Sequence, residues 1–256
     1  MGELTELRFN NYCEGDMSYN ACDDLRAFTG LAEDEFGNRA QRKGRFHFEA
    51  EHTFWNPQTS TELAWYYSTS VDYLFANVIH EAKASVLDEL IKRKLEPVLD
   101  YSGGVGNNIM HLAKKGIRCH YFGIGMIEYA FAEFRVAKNN LTDLVEFKKP
   151  YSPKTGYRFD SITSALPGDG SLGAILAMDV LEHIPKYHLV VKEMVDSLQV
   201  GGVIAEKSPF DNRGQNGEDV RMHVSNGGVS MEDAMGPRMK QEEKYGNVRF
   251  WVKVKE

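Results

Sequence analysis

Cysteine is scarce in this chain of 256 residues, and what there is does not pair by spacing. Cys13, Cys22 and Cys119 form no CxxC element. A structural zinc site needs ligands in close pairs, so a cysteine-built metal centre is not expected. A sparse, odd set of this kind is expected as reduced thiols, which fits a cytoplasmic protein. Long apolar runs are missing too. No stretch approaches the roughly 20 uninterrupted apolar residues that a membrane helix requires, so no membrane partner is expected. The opening Met1-Gly2-Glu3-Leu4-Thr5-Glu6 lacks a basic region followed by an apolar one, and no secretory leader is expected. Positive charge is in deficit, with 30 Lys and Arg against 37 Asp and Glu and a net charge of −7. Proteins that grip nucleic acid usually carry a basic patch. The one compact basic run, Arg39, Arg42, Lys43 and Arg45, reads as a solvated loop. Nucleic acid is therefore an unlikely partner, and a small-molecule substrate is the better expectation. Internal repeats and low-complexity segments are absent, and the sequence sets no oligomeric state.

What is present is a chain able to bury a core, with 42% apolar residues, 14 Phe and 12 Tyr. Residues 1 to 60 mix aromatic and charged side chains without a clean period. His47 and His52 fall there, not at helical metal spacing, and read as structural. From Val71 to Lys94, the apolar residues Val71, Leu74, Phe75, Val78, Ala82, Val86 and Leu90 follow three-four spacing and predict one amphipathic helix. After Pro97, strands and helices alternate. Strands are expected at Val98–Tyr101, Arg118–Ile124, Leu144–Phe147, Ala174–Met178, Val203–Ala205 and Val248–Val254. Helices are expected over Asn107–Lys115, Ile127–Ala137 and Leu189–Leu198, the last closed by Gly201-Gly202. This alternation means an α/β fold, a Rossmann-like doubly wound and mostly parallel sheet. Residues 1–95 would form a largely helical cap and residues 96–256 the ligand-binding domain.

The strongest local signal is Asp100-Tyr101-Ser102-Gly103-Gly104-Val105-Gly106, set between a strand and a helix. Glycines there permit a tight turn and a close approach of backbone to ligand, and the helix behind offers free N–H groups. A dinucleotide site of the G-x-G-x-x-G kind needs a third glycine, which is missing after Gly104-Val105-Gly106. The Gly-Lys-Ser/Thr ending of a phosphate loop is also missing. The second signal is Met178-Asp179-Val180-Leu181-Glu182-His183-Ile184-Pro185, which follows an almost wholly apolar strand. The third is Leu198-Gln199-Val200-Gly201-Gly202-Val203-Ile204.

In this order and context, the three segments resemble class I S-adenosylmethionine-dependent methyltransferases, nearest to those acting on small molecules. The first segment resembles that family's D-x-G-x-G-x-G pattern, with Ser102 in the first glycine place and Gly104 and Gly106 in the others. The second is similar to its D-V-L-E-H segment, and the third to its L-x-P-G-G turn, with Val200 for proline. The segment Trp65 to Phe75 looks more loosely like one that roofs the site in some natural-product methyltransferases. The resemblance implies S-adenosylmethionine as cofactor. It implies that Asp100, Tyr101, Ser102, Gly103, Gly104 and Gly106 lie against the cofactor's methionine part. Asp179 and Val180 would face the same cleft. It implies methyl transfer to a small molecule, with aromatic and natural-product acceptors as candidates.

Two departures matter. The family carries an acid at the end of its second strand for the ribose hydroxyls, and Gly125 occupies that place, beside Met126. Glu128, three residues on, is the candidate to reach back from the first helical turn. The adenine-side acid falls to Asp160 or Asp169. A base is needed only if the acceptor must lose a proton; the candidates are His183 and His223. Gly125 keeps open an alternative, a non-catalytic or non-methylating S-adenosylmethionine-binding protein on the same fold. A metal-dependent catechol-type reaction is weaker, since Asp179 lacks companion carboxylates in sequence.

Overall fold

The computed structural model describes residues 21–38, 74–75, 78, 84–149, 151–152, 158–159, 162–210 and 228–256. Nine strands fall among them: β1 Val98–Tyr101, β2 Cys119–Phe122, β3 Val145–Lys148, β4 Tyr151–Ser152, β5 Arg158–Phe159, β6 Leu172–Met178, β7 Leu198–Lys207, β8 Met239–Tyr245 and β9 Val248–Lys253. The helices are α1 Ala21–Thr29, α2 Ala84–Arg93, α3 Asn107–Lys114, α4 Met126–Lys138, α5 Tyr187–Ser197 and α6 Met231–Met235. Seven strands form one sheet in the order β3-β2-β1-β6-β7-β9-β8. The pairs among β3, β2, β1, β6 and β7 are parallel, and β9 runs antiparallel to both β7 and β8. The fold is the Rossmann-like, mostly parallel α/β sheet expected. β4 and β5 form a separate small hairpin.

The helices cover both faces because the central strands are apolar on both sides. Leu99, Ile175, Ala177, Ile204 and Trp251 point to one face and pack with Tyr187, Val190, Val191, Met194 and Val195 of α5. Val98, Ala174, Leu176, Val203 and Ala205 point to the other. There they meet Val86, Leu87 and Leu90 of α2, Ile109 and Leu112 of α3, and Val136 of α4. Full burial of each Val, Leu or Ile side chain among these stabilises the fold by about 1.5–3 kcal/mol. A third cluster joins α1 to α4 through Leu25, Phe36, Leu74, Phe75 and Phe131.

Strand order reverses between β1 and β6: β2 and β3 follow β1 outward on one side, β7 lies on the other. Ligands of open α/β sheets bind outside the strand C-termini at such a switch point. The loop Asp100–Gly106 leaves β1 there, and Asp179 leaves β6.

Three expectations are corrected. The predicted helix Val71–Lys94 is not continuous: Val78 sits in a turn, and α2 covers only Ala84–Arg93. Gly201-Gly202 does not separate helix from strand, since both lie inside β7, which starts at Leu198 paired with Leu172. A left-handed Gly201, at φ 83°, accompanies a register irregularity there instead of ending the helix. Cys22 is disulfide-bonded rather than a thiol, with its partner outside the described residues; Cys119 is free and buried. No described helix is long and apolar enough to cross a membrane.

Candidate functional site

The glycine loop owes its shape to three left-handed residues, Ser102 at φ 61°, Gly104 at φ 51° and Gly106 at φ 79°. Gly106 is the N-cap of α3, and its N–H donates to the Gly103 carbonyl at 2.8 Å. Gly103 donates to the Phe122 carbonyl at 3.1 Å, and the Tyr121 hydroxyl donates to the Gly104 carbonyl at 2.5 Å. The loop is thus held to the end of β2 by its own backbone. Tyr101, stacked on Phe122, donates its hydroxyl to the Ile162 carbonyl at 2.6 Å. Its side chain lies in the buried cluster with Phe122 and Ile124.

Asp100 lies under this loop, 1% exposed. Its Oδ1 accepts from Asn108 Nδ2 at 3.1 Å, while Oδ2 is buried without a partner. A Cβ at Gly103 would stand 2.5 Å from that oxygen, which is why only glycine fits there. Burial pushes the Asp100 carboxyl up to about 7, against the opposing hydrogen bond from Asn108. Glu128 approaches from the other side. It is buried, and a Cβ at Gly104 would stand 3.5 Å from its Oε1. Burial pushes its carboxyl up to about 8. Gly125 is the N-cap of α4 at φ −80°, ψ 119°, so Glu128 is the third helical residue and sits beside the free N–H groups of the first turn. Met126, the first helical residue, is half exposed. Two carboxyls therefore flank one glycine loop, and desolvation shifts the titration of each up to neutrality or above it. Hydroxyl donors or a positive charge on a ligand would return them to the ionised form.

Across the switch point, Asp179 has φ 52°, and its carboxylate pairs with Lys207 Nζ at 2.6 Å. Its N–H donates to the Lys207 carbonyl, which fastens the end of β6 to the end of β7. Val180 is buried and caps the short turn Leu181–His183. In that turn, Glu182 is 1% exposed with Oε2 unpartnered, and burial pushes it up to about 8. His183 Nε2 lies 4.0 Å from Glu182 Oε1.

His223 and Asp160 fall outside the described residues. Asp169 does not belong to the site. It precedes β6, at the N-terminal end of the strand, and accepts from its neighbour Ser171 at 3.0 Å. There it lines a cavity of about 390 Å³ with Arg238 and Lys253, at the end of the sheet opposite the glycine loop. Sequence reasoning also missed Glu206 and Ser208 at the end of β7. Glu206 accepts from Arg249 and, at 3.2 Å, from Trp251 Nε1, leaving Oε2 unpartnered. The signal was a charge closing an apolar strand, Val203-Ile204-Ala205-Glu206. Among the described residues, no group of His, Cys, Asp and Glu could hold a metal ion.

No protein-family model matches the chain, and no curated protein matches its sequence. Solved structures similar to it are mainly methyltransferases. One from Geobacter sulfurreducens is 12% identical over 82% of this chain and 98% of its own, with a TM-score of 0.47. The O-methyltransferase of a trans-AT PKS multienzyme of Brevibacillus brevis, solved with S-adenosyl-L-homocysteine, is 18% identical. It covers 55% of this chain and 46% of its own, with a TM-score of 0.39. The [4+2]-cyclase SpnF is 18% identical over 48% of this chain and 43% of its own, with a TM-score of 0.37. The chain thus spans less than half the length of several structures it matches.

Proposed function

We propose that this chain binds S-adenosylmethionine and transfers its methyl group to a small-molecule acceptor. The observation that carries the reading is the pair of buried carboxyls, Asp100 and Glu128, on either side of a left-handed glycine loop at the sheet's switch point. The donor set fits the cofactor. The unpartnered Asp100 Oδ2 suits the positively charged methionine part, together with backbone from Ser102, Gly103, Gly104 and Gly106. Glu128 suits the ribose hydroxyls, in the role that Gly125 cannot fill. Met126 would cover the sugar, and Asp179 and Val180 would form the far wall. We read residues 96–256 as the cofactor domain and residues 1–95 as its cap.

When bound, the cofactor supplies an electrophilic methyl carbon on a sulfonium. The protein's task is then alignment of the acceptor and exclusion of water. Where the acceptor must lose a proton, His183 would take it, with Glu182 beside the imidazole; His223 is the second candidate. Calorimetry with S-adenosylmethionine and S-adenosylhomocysteine, with mass spectrometry of any co-purified ligand, tests the reading. One-to-one binding of both is expected. Failure of either to bind would overturn it.

A further inference from the structure

One fully buried cation joins the N-terminal segment to the glycine loop. Arg135, on α4, is 0% exposed. Its Nη1 donates to the Val105 carbonyl at 2.6 Å and to Asn107 Oδ1 at 2.7 Å. Its Nε donates to Asp24 Oδ2, on α1, at 3.2 Å. The other oxygen of Asp24 accepts from Lys138 Nζ at 2.8 Å. Val105 stands between the two left-handed glycines of the loop, and its side chain is seated with Leu25, Phe36, Phe75 and Phe131. The loop is therefore gripped twice from the same side: by its carbonyl through Arg135, and by its side chain through a cluster to which α1 contributes.

We propose that Arg135 is a positioning residue for the cofactor loop, and that through it the docking of α1 and the binding of the cofactor depend on each other. The proposal rests on the cofactor reading given above. A guanidinium is a rigid fork, so moving one partner re-aims the bonds to the others. If α1 leaves, Arg135 loses the buried carboxylate of Asp24, which disfavours its present position. The Val105 carbonyl then loses its donor, and the loop is released on that side, while Gly103 and Gly104 stay tied to the end of β2; the left-handed Gly104 and Gly106 let the segment between them drift. Coupling between two sites is reciprocal, so whatever α1 does for the cofactor, the cofactor must do for α1.

Hydrogen exchange and calorimetry on the full chain, with S-adenosylhomocysteine as probe, test this. In the native protein the ligand should slow exchange both over Gly103–Gly106 and across α1. Asp24→Asn, which keeps the side chain's shape, should weaken binding by about tenfold, within the range such couplings reach. It should also lose the ligand-dependent slowing in α1 while keeping it at the loop. Leu25→Ala loosens α1 by the apolar route and should act in the same direction. A purely structural ion pair would lower stability without making α1 respond to ligand. Native protein that binds the probe with α1 exchange unchanged would overturn the proposal and leave the cofactor reading standing. So would unaltered affinity in both variants. No binding by the native chain would refute the cofactor reading and this proposal with it.

Discussion

Replacing Glu128 by glutamine should move stability and ligand affinity in opposite directions. Burial raises the Glu128 carboxyl from an ordinary 4.5 to about 8. Below 4.5 the group is protonated in both folded and unfolded chains, and its burial carries no pH-dependent cost. Between 4.5 and about 8, the unfolded chain releases a proton that the folded chain retains. Stability therefore falls as pH rises through this window, by about 1.4 kcal/mol per pH unit from this group. At neutral pH the accumulated cost is roughly 3 kcal/mol. Glutamine keeps the shape and carries no such proton. The stability of Glu128→Gln relative to the native chain should accordingly rise by about 3 kcal/mol between pH 4.5 and 7, whatever constant offset the amide's own burial adds. Other carboxyls, common to both proteins, cancel in the difference. Affinity should go the other way. A carboxylate accepting from ribose hydroxyls contributes about 1.5–3 kcal/mol, but ionising a group that titrates near 8 costs about 1.4 kcal/mol of this at neutral pH, so S-adenosylhomocysteine should bind up to roughly tenfold more weakly to the variant. Urea unfolding from pH 4.5 to 8 and calorimetry at neutral pH read the two effects. A stability difference flat with pH would refute the desolvation argument. Equal affinity would refute the ribose role.

Gly125→Asp should leave the affinity for S-adenosylhomocysteine nearly unchanged, because Glu128 already serves the ribose. Gly125 has an extended backbone and an N-cap place, both of which suit Asp, so the variant should fold without strain; tightening by about tenfold would mean that Glu128 leaves the ribose without its acceptor. Ser102→Gly should stabilise the protein by about 0.5–1 kcal/mol, because Ser102 is held at φ 61°. An unchanged denaturation midpoint would contradict that. Gly104→Leu should abolish cofactor binding, since the side chain would enter from a left-handed backbone into the space beside Glu128. Undiminished calorimetric affinity would sink the placement of the ligand.

The parallel core was legible because its signals are local. Val98–Tyr101 was expected and found to the residue, and α3, α4 and β3 were off by a residue or so at their ends. Apolar runs between glycines leave little choice of element. β8 was not foreseen, because Met239–Tyr245 pairs with β9 alone and its sequence shows no apolar alternation. The break at Val78 was hidden because apolar spacing continues across it. At the candidate site, Asp100 and the glycines were legible from the turn they must make. The carboxyl of Glu128 could be nominated only through what Gly125 lacks. Glu206 stands out only as a charge closing an apolar strand, and Arg135 carries no local signal at all, because their roles depend on partners far along the chain, Arg249 for one and Asp24 for the other.

The strand that escaped notice also guards the molecule's margin. Met239–Tyr245 is the last strand on its side of the sheet, and a bare margin offers its free N–H and C=O groups to any passing strand. Four of its seven residues, Lys240, Glu242, Glu243 and Lys244, carry charge. Glu242 is further tied to Arg93 of α2 at 3.0 Å. A foreign strand that docked there would have to strip water from the exposed Lys240 and Glu242 and loosen that tie. The margin at β8 is closed to end-on growth by the composition that keeps it from looking like a strand.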